Sequence, residues 1–337
     1  MKEECDARWL RRELLESIEG SRRAEWFAVD QRRSWWSFAH IWGALIVCFL
    51  CIYAVREEPL PVRLSAGILA VLFIGSRQNA LGVRVHEGSH FLLFRNRAAN
   101  DLICNWLAAY WVVTDIRSYR AVHWRHHQFL HEANDPDREL YLLPENGGRR
   151  AVLRFFLADL AGVTAVKRLR LLLIKTRAAT EIGSGVQRCH LFGIVTVQGA
   201  LLAMAIYFLG AWPGITCYLL FWFLPLATVY PFIIRLRTVT EHYAEELHHS
   251  TTRPFVSRTS LTDWLERYLI GADMEFHLEH HLNPAIPHYR LRKLNLELAK
   301  RGVFERLGEQ KTRVLSEGYL KFWRRLIAAA SRRGQPQ

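Results

Sequence analysis

The sequence predicts an all-α integral membrane protein with about four transmembrane helices and a cytosolic helical cap. Three observations predict it. Hydrophobic residues make up 50% of the 337 residues, yet the mean hydropathy is −0.01. Apolar blocks therefore alternate with very polar ones, as in a polytopic membrane protein with large aqueous segments. Several blocks reach the roughly 20 residues that cross a bilayer core. Finally, eight of the 15 histidines gather in three short boxes on polar sequence.

Residues 1–35 form an N-terminal cytosolic amphipathic region. They carry Lys2, Arg8, Arg11, Arg12, Arg22, Arg23, Arg32 and Arg33. Trp9, Leu10, Leu14, Leu15 and Ile18 give part of the stretch an apolar helical face, read either as a solvated helix or as one lying on the membrane surface. The membrane domain with its cap is expected over 36–300. Its first span is 36–55, with Trp35, Trp36 and Trp42 at headgroup level. A short turn, Arg56 to Pro61, leads to a second span over 64–85. Arg77, Gln78 and Asn79 in its second half are polar residues that lipid would not tolerate. Asn79, His86 and His90 share one helical face, so this helix delivers a polar stripe to a protected site.

The apolar stretch 102–113 is too short to span and reads as re-entrant or interfacial. Residues 151–175 mix apolar and basic side chains and read as helices on the membrane surface. Spans three and four are expected at 190–209 and 215–234, joined by a tight turn at Gly210-Ala211-Trp212-Pro213-Gly214. Residues 301–337 read as a basic helical tail. The loops between spans carry few basic residues, so the positive-inside rule puts both termini, and with four spans all three boxes, in the cytosol. The net charge of +13 is spread along membrane-flanking segments without a nucleic-acid-binding motif, which favours anionic lipid over nucleic acid. Cys48 and Cys51 have C-x-x-C spacing but lie inside an apolar run and read as core packing.

The boxes are His86-Glu87-Gly88-Ser89-His90, His123-Trp124-Arg125-His126-His127 and His277-Leu278-Glu279-His280-His281. On a helix, positions i, i+3 and i+4 share a face, so each box can aim at least two imidazoles at one point. Neutral imidazole binds first-row transition metals. Eight imidazoles exceed the needs of one metal, and two metals with open positions would use them. Nitrogen-rich sites with open positions suit oxygen activation by non-haem iron. His242, just beyond the fourth span, is a ninth candidate ligand. Its neighbour Glu241 either pairs with Arg237 or supports a ligand histidine. Glu87, Asn79 and Glu279 are candidates for the same supporting role. His131, His248, His249 and His288 read as loop residues.

These boxes resemble those of the membrane fatty acid desaturase and hydroxylase superfamily. The resemblance covers about 64–300 and extends to Asn134-Asp135-Pro136-Asp137, to Glu241-His242 and to the Phe276–Pro284 context. It implies two irons, dioxygen as co-substrate, and removal of hydrogen from an unactivated C–H bond of a lipid-like, fatty acyl substrate. The product would be an alkene or an alcohol. Glu87 stands where many acyl desaturases have Asp, and Phe276 where Tyr is frequent. His277 in place of Gln argues against the front-end group. With no fused cytochrome b5 segment or iron–sulfur cysteine motif in the sequence, a separate ferredoxin or cytochrome b5 type of donor is expected to supply electrons.

Two other readings compete. His86-Glu87-Gly88-Ser89-His90 also matches H-E-x-x-H, the zinc metalloprotease pattern with the glutamate as general base. It leaves both H-x-x-H-H boxes unexplained. A metal transporter would line its spans with polar residues, whereas spans three and four carry almost no charge.

Overall fold

A computed structural model describes residues 7–18, 23–143, 148–167, 184–243, 257–308 and 311–333. His248 and His249, and the end of the basic stretch 151–175, lie outside them. The fold is helical. Among the described residues the only sheet pairs β1 (Thr259–Ser260) with β2 (Leu315–Ser316) in parallel.

Helix α1 (Ala7–Ile18) precedes the first span, α2 (Gln31–Ala54), which starts where the Asp30 side chain accepts from the Arg32 amide. That cap satisfies one of the free N–H groups of the first turn. The second span, α3 (Leu60–Ser89), starts behind Pro59. Its apolar half carries exposed Leu64, Ile68, Leu69 and Leu72, the surface a bilayer would cover. From Ile74 onward it is almost wholly buried, including Arg77, Gln78 and Asn79. The polar stripe has thus left the lipid for protein.

The short helix α4 (Arg97–Cys104) continues as a π turn and then a 3₁₀ turn, ending in left-handed Val113. The 102–113 stretch therefore folds back without spanning. Gln198 of the third span holds its end, donating to the carbonyls of Tyr110 at 3.0 Å and Trp111 at 3.1 Å. Helix α5 (Ile116–Phe129) carries the second box and is capped by Asp115, which accepts from the Arg117 and Ser118 amides. Helix α6 (Gly148–Leu160) follows.

The third span is α7 (Ser184–Leu209) and the fourth is α8 (Ala211–His242), which relaxes into a π turn at Leu219–Phe223. The expected five-residue turn between them is tighter: Gly210 alone turns, at φ +85°, and Ala211 already begins α8. Only glycine adopts that backbone without strain. Four helices are long and apolar enough to cross a membrane. Cys48 is half-buried and packs against the core as expected, whereas Cys51 is exposed.

Helices α9 (His277–Leu282), α10 (His288–Lys300) and α11 (Tyr319–Arg333) complete the cap. Trp9, Leu10, Leu14 and Ile18 of α1 are buried with Leu278 and Leu282 of α9 and with Leu291, Leu294 and Leu298 of α10. The apolar face of α1 thus packs on protein, neither solvated nor laid on a bilayer. Buried Phe322 and Trp323 of α11 pack with Phe156 of α6 and with Leu236 and Val239 of α8.

Close contact between α3 and α8 requires glycine. A Cβ on Gly75 would lie 2.5 Å from Val229 Cβ. Gly75→Val should therefore lower stability by about 1–3 kcal/mol through overpacking, read as a lower thermal midpoint in detergent. An unchanged midpoint would contradict this contact.

Candidate metal centre

All nine candidate histidines come together. His86 and His90 lie at the end of α3 and just beyond it, and His123, His126 and His127 line one face of α5. His242 ends α8, and His277, His280 and His281 occupy the short helix α9. Possible ligand atoms of His86, His90, His123, His127 and His280 lie within 4.8 Å of one another, and so do those of His126, His242 and His281. His277 joins the second group, its Nε2 being 3.0 Å from His242 Nε2 and 3.1 Å from His281 Nε2. The groups adjoin, since the His127 and His281 rings stack at 4.3 Å. The ends of α3 and α8 therefore meet on one side of the bundle.

The donor set fits a metal. His127 Nε2 lies 3.0 Å from His123 Nε2 and 3.1 Å from His280 Nε2. A neutral imidazole nitrogen holds either one proton or one lone pair, so three nitrogens facing each other cannot all be satisfied by hydrogen bonds. Two nitrogens each about 2.1 Å from one ion and at right angles would be about 3.0 Å apart. Both ring nitrogens of His86 and of His90 are buried without a hydrogen-bond partner. Such groups are costly unless something binds them.

Electrostatics favour the neutral, ligating form. Burial lowers the pKa of His90 to about 4 and that of His127 to about 2. His123, His277, His280 and His281 fall well below the ordinary histidine value, first through burial and then through neighbouring positive groups. His126 differs. Burial pulls it down, but the hydrogen bond to Asp135 and the charge of Asp137 raise it overall.

With this geometry, comparison with known proteins decides the family. The fatty acid desaturase profile matches residues 63–309. The chain belongs to the fatty acid desaturase family. It is also 25% identical, over 332 residues, to the dihydrorhizobitoxine desaturase of Bradyrhizobium elkanii, covering 94% of this chain and 87% of the relative. The chain is thus a desaturase-like oxidoreductase and, with its four apolar helices, an integral membrane protein.

In this desaturase-family chain Glu241 makes the expected pairing with Arg237, whereas Glu87, Asn79 and Glu279 bond to groups other than the nine candidate histidines. Glu87 turns to His288, whose Nδ1 is 2.6 Å from Glu87 Oε2. It is therefore not placed as the base of a zinc protease, and five histidines gather where that pattern needs far fewer. His288 is not a loop residue: it opens α10, with Nε2 3.1 Å from Arg84 Nη1. Glu241 accepts from Arg237 at 3.1 Å and stands 3.8 Å from His277 Nε2. Asn79 donates to the Ile270 carbonyl at 2.9 Å and faces Arg237 at 3.4 Å. Glu279 accepts from Thr259 and Asn295, and so anchors α9 within the cap.

The sequence reading assigned no role to Asp135. Its carboxylate accepts from His126 Nδ1 at 2.9 Å and from the Tyr141 hydroxyl at 2.5 Å. The hydrogen bond fixes the His126 tautomer and leaves Nε2 as the ligating atom. Its position in the Asn-Asp-Pro-Asp run after the second box was the available signal. His131 does lie in the turn after α5, as expected, but it is buried at φ +67° with its ring 5.1 Å from Tyr141. Asp135→Asn should weaken metal binding about 10–100-fold, read by chelator competition. Unchanged competition would remove Asp135 from this role.

Proposed function

We propose that this chain is a di-iron, dioxygen-dependent desaturase acting on an unactivated C–H position of a lipid-like, fatty acyl substrate. The convergence of nine imidazoles, eight of them buried and that of His127 half-buried, in two adjoining groups carries the reading. His86, His90, His123, His127 and His280 would hold one iron, and His126, His242, His277 and His281 the other. Two irons bound there would supply the reduction of dioxygen and the cleavage of the C–H bond. Desaturation balances as loss of two hydrogens from adjacent carbons, with dioxygen, two electrons and two protons giving two waters. An all-nitrogen donor set, kept neutral by burial, suits such a metal. Asp135 orients one imidazole, and the apolar contacts of α9 with α1 and α10 hold three more in place.

Both termini and the centre face the cytosol in this reading, as the arginine distribution supports. The electrons come from a separate ferredoxin or cytochrome b5 type of protein. Exposed Arg125 follows Trp124, whose ring lies 5.3 Å from that of His90, and exposed Arg11 is close enough to His127 to depress its pKa. This basic edge suits an acidic donor. Arg11→Glu with Arg125→Glu should slow reduction and flatten its salt dependence. Equal rates at every ionic strength would place the donor elsewhere.

Mass spectrometry of products, made with a competent donor, tests the activity. Loss of two hydrogens is the expected result, whereas gain of one oxygen would make the chain a hydroxylase. His126→Ala and His281→Ala should each lose iron together with activity. Retention of full iron by both variants would defeat the ligand assignment.

A further inference from the structure

A second polar site lies on the opposite side of α3 from the imidazoles. It is a cavity of about 350 Å³ between the cap-side ends of α2 and α3 and the segment 264–273. Its lining includes Ser37, Arg77, Arg84, Trp264, Arg267 and Asp273. By liquid volume it has room for about a dozen waters, enough for a phosphate with a glycerol unit.

Its charge is unbalanced. Arg77 is only 2% exposed and makes no direct ion pair among the described residues, the nearby carboxylate that acts on it being Asp273. Its guanidinium donates to Ser76 Oγ and the Tyr268 carbonyl, and stacks 3.8 Å above the Tyr268 ring. Its Nε is buried with no hydrogen-bond partner. Arg84, 1% exposed, has the same orphaned Nε, and its nearest carboxylate, Asp273, is 3.7 Å away and itself half in solvent. Arg267 is already bound to Glu275 at 2.5 Å. Two buried guanidinium groups thus share one half-exposed carboxylate, Asp273, across the cavity. A desolvated cation without a counter-charge is expensive, and an anion in the cavity would remove that cost.

Depth and direction identify the anion. Trp264 on the rim is 76% exposed, and Trp35 and Trp36 near the start of α2 are 50% and 75% exposed. Exposed tryptophans at the ends of spans mark headgroup level. Arg77 and Arg84, seven residues apart, lie within about 20° of each other around α3, while His86 and His90 are turned from Arg84 by roughly 120–160°. A molecule held by these arginines therefore sits behind α3, away from the metal centre. We propose that this cavity binds the phosphate headgroup of an anionic phospholipid of the bilayer, as a site separate from the one that receives substrate.

The site is tested on the full-length, metal-loaded protein in neutral detergent. Added phosphatidylglycerol should raise the thermal midpoint by about 3 °C over the same amount of phosphatidylcholine. Native mass spectrometry should show phosphatidylglycerol retained. Arg77→Gln should abolish both effects. Ser37→Phe fills the rim and leaves every arginine in place. It should abolish them too, so the test survives if Arg77→Gln fails to fold. Equal midpoint gains and lipid retention in Ser37→Phe and the unaltered protein would overturn the proposal. So would reproduction of the gain by inorganic phosphate alone, which would make this a site for a free anion. Loss of phosphatidylglycerol on saturation with a fatty acyl substrate would instead assign the cavity to substrate. None of these readouts depends on catalysis, so they stand apart from any failure of the di-iron reading.

Discussion

The arrangement depends on how the buried half of α3 holds the backbone ahead of the third box. The π turn at Arg267–Gly271 and the residues after it present a row of carbonyls away from regular helix bonding. Ser76 Oγ donates to the Leu269 carbonyl at 2.7 Å, Asn79 to Ile270 at 2.9 Å, and Arg84 to Ala272 at 2.8 Å, while Arg77 reaches Tyr268. An unpaired buried carbonyl costs about as much as a lost hydrogen bond. Four such bonds within five residues therefore fix segment and helix in one register. That register brings His277, His280 and His281 opposite His86 and His90. Polar residues that look intolerable in a span are the clasp between two histidine-bearing elements.

The coarse fold was legible because bilayer physics leaves few choices. About 20 apolar residues ending in tryptophan or arginine can do little but span, and the four spans appear near their expected positions. The histidine boxes were legible because i, i+3, i+4 spacing on a helix imposes a shared face. Asp135 and His288 were harder to read. Each acts across a tertiary contact, Asp135 by folding back on His126 through the turn after α5, and His288 by pairing with Glu87 of a helix some 200 residues earlier. Nothing in local spacing encodes such partners. The N-terminal helix shows the same gap. Its amphipathic pattern reports an apolar face, and only the packing on Leu278 and Leu294 reports what covers it.

Gathering nine imidazoles, eight of them buried, has a consequence for folding as well as chemistry. Most are held neutral by desolvation, and several of their nitrogens meet no hydrogen-bond donor. Without an ion the centre is a cost to the folded state. With one, the same nitrogens become bonds, so metal affinity and fold stability are coupled. Helix α9, which contributes three of these imidazoles, is only six residues long. An isolated helix of that length is not stable in water. It persists because Glu279 is anchored by Thr259 and Asn295, and because Leu278 and Leu282 are buried between α1 and α10. The cap is thus the support that lets a marginal helix present three imidazoles at fixed positions.

Helix α3 divides two kinds of chemistry between its faces. One face ends in neutral imidazoles, and the other carries guanidinium groups that remain charged at any working pH. The separation has an electrostatic reason. A cation beside a metal site opposes the binding of another cation, and in a low-dielectric interior that opposition is large. Arg84 lies within two residues of His86, yet it is directed to Ala272, Asp273 and His288 on the far side. Its neighbour His288 bonds in turn to the Glu87 carboxylate, so a negative charge lies close to the arginine. One helix can therefore satisfy the carbonyl row, carry positive charge at headgroup level and still offer uncharged nitrogen donors to a metal, because its period turns each function away from the next.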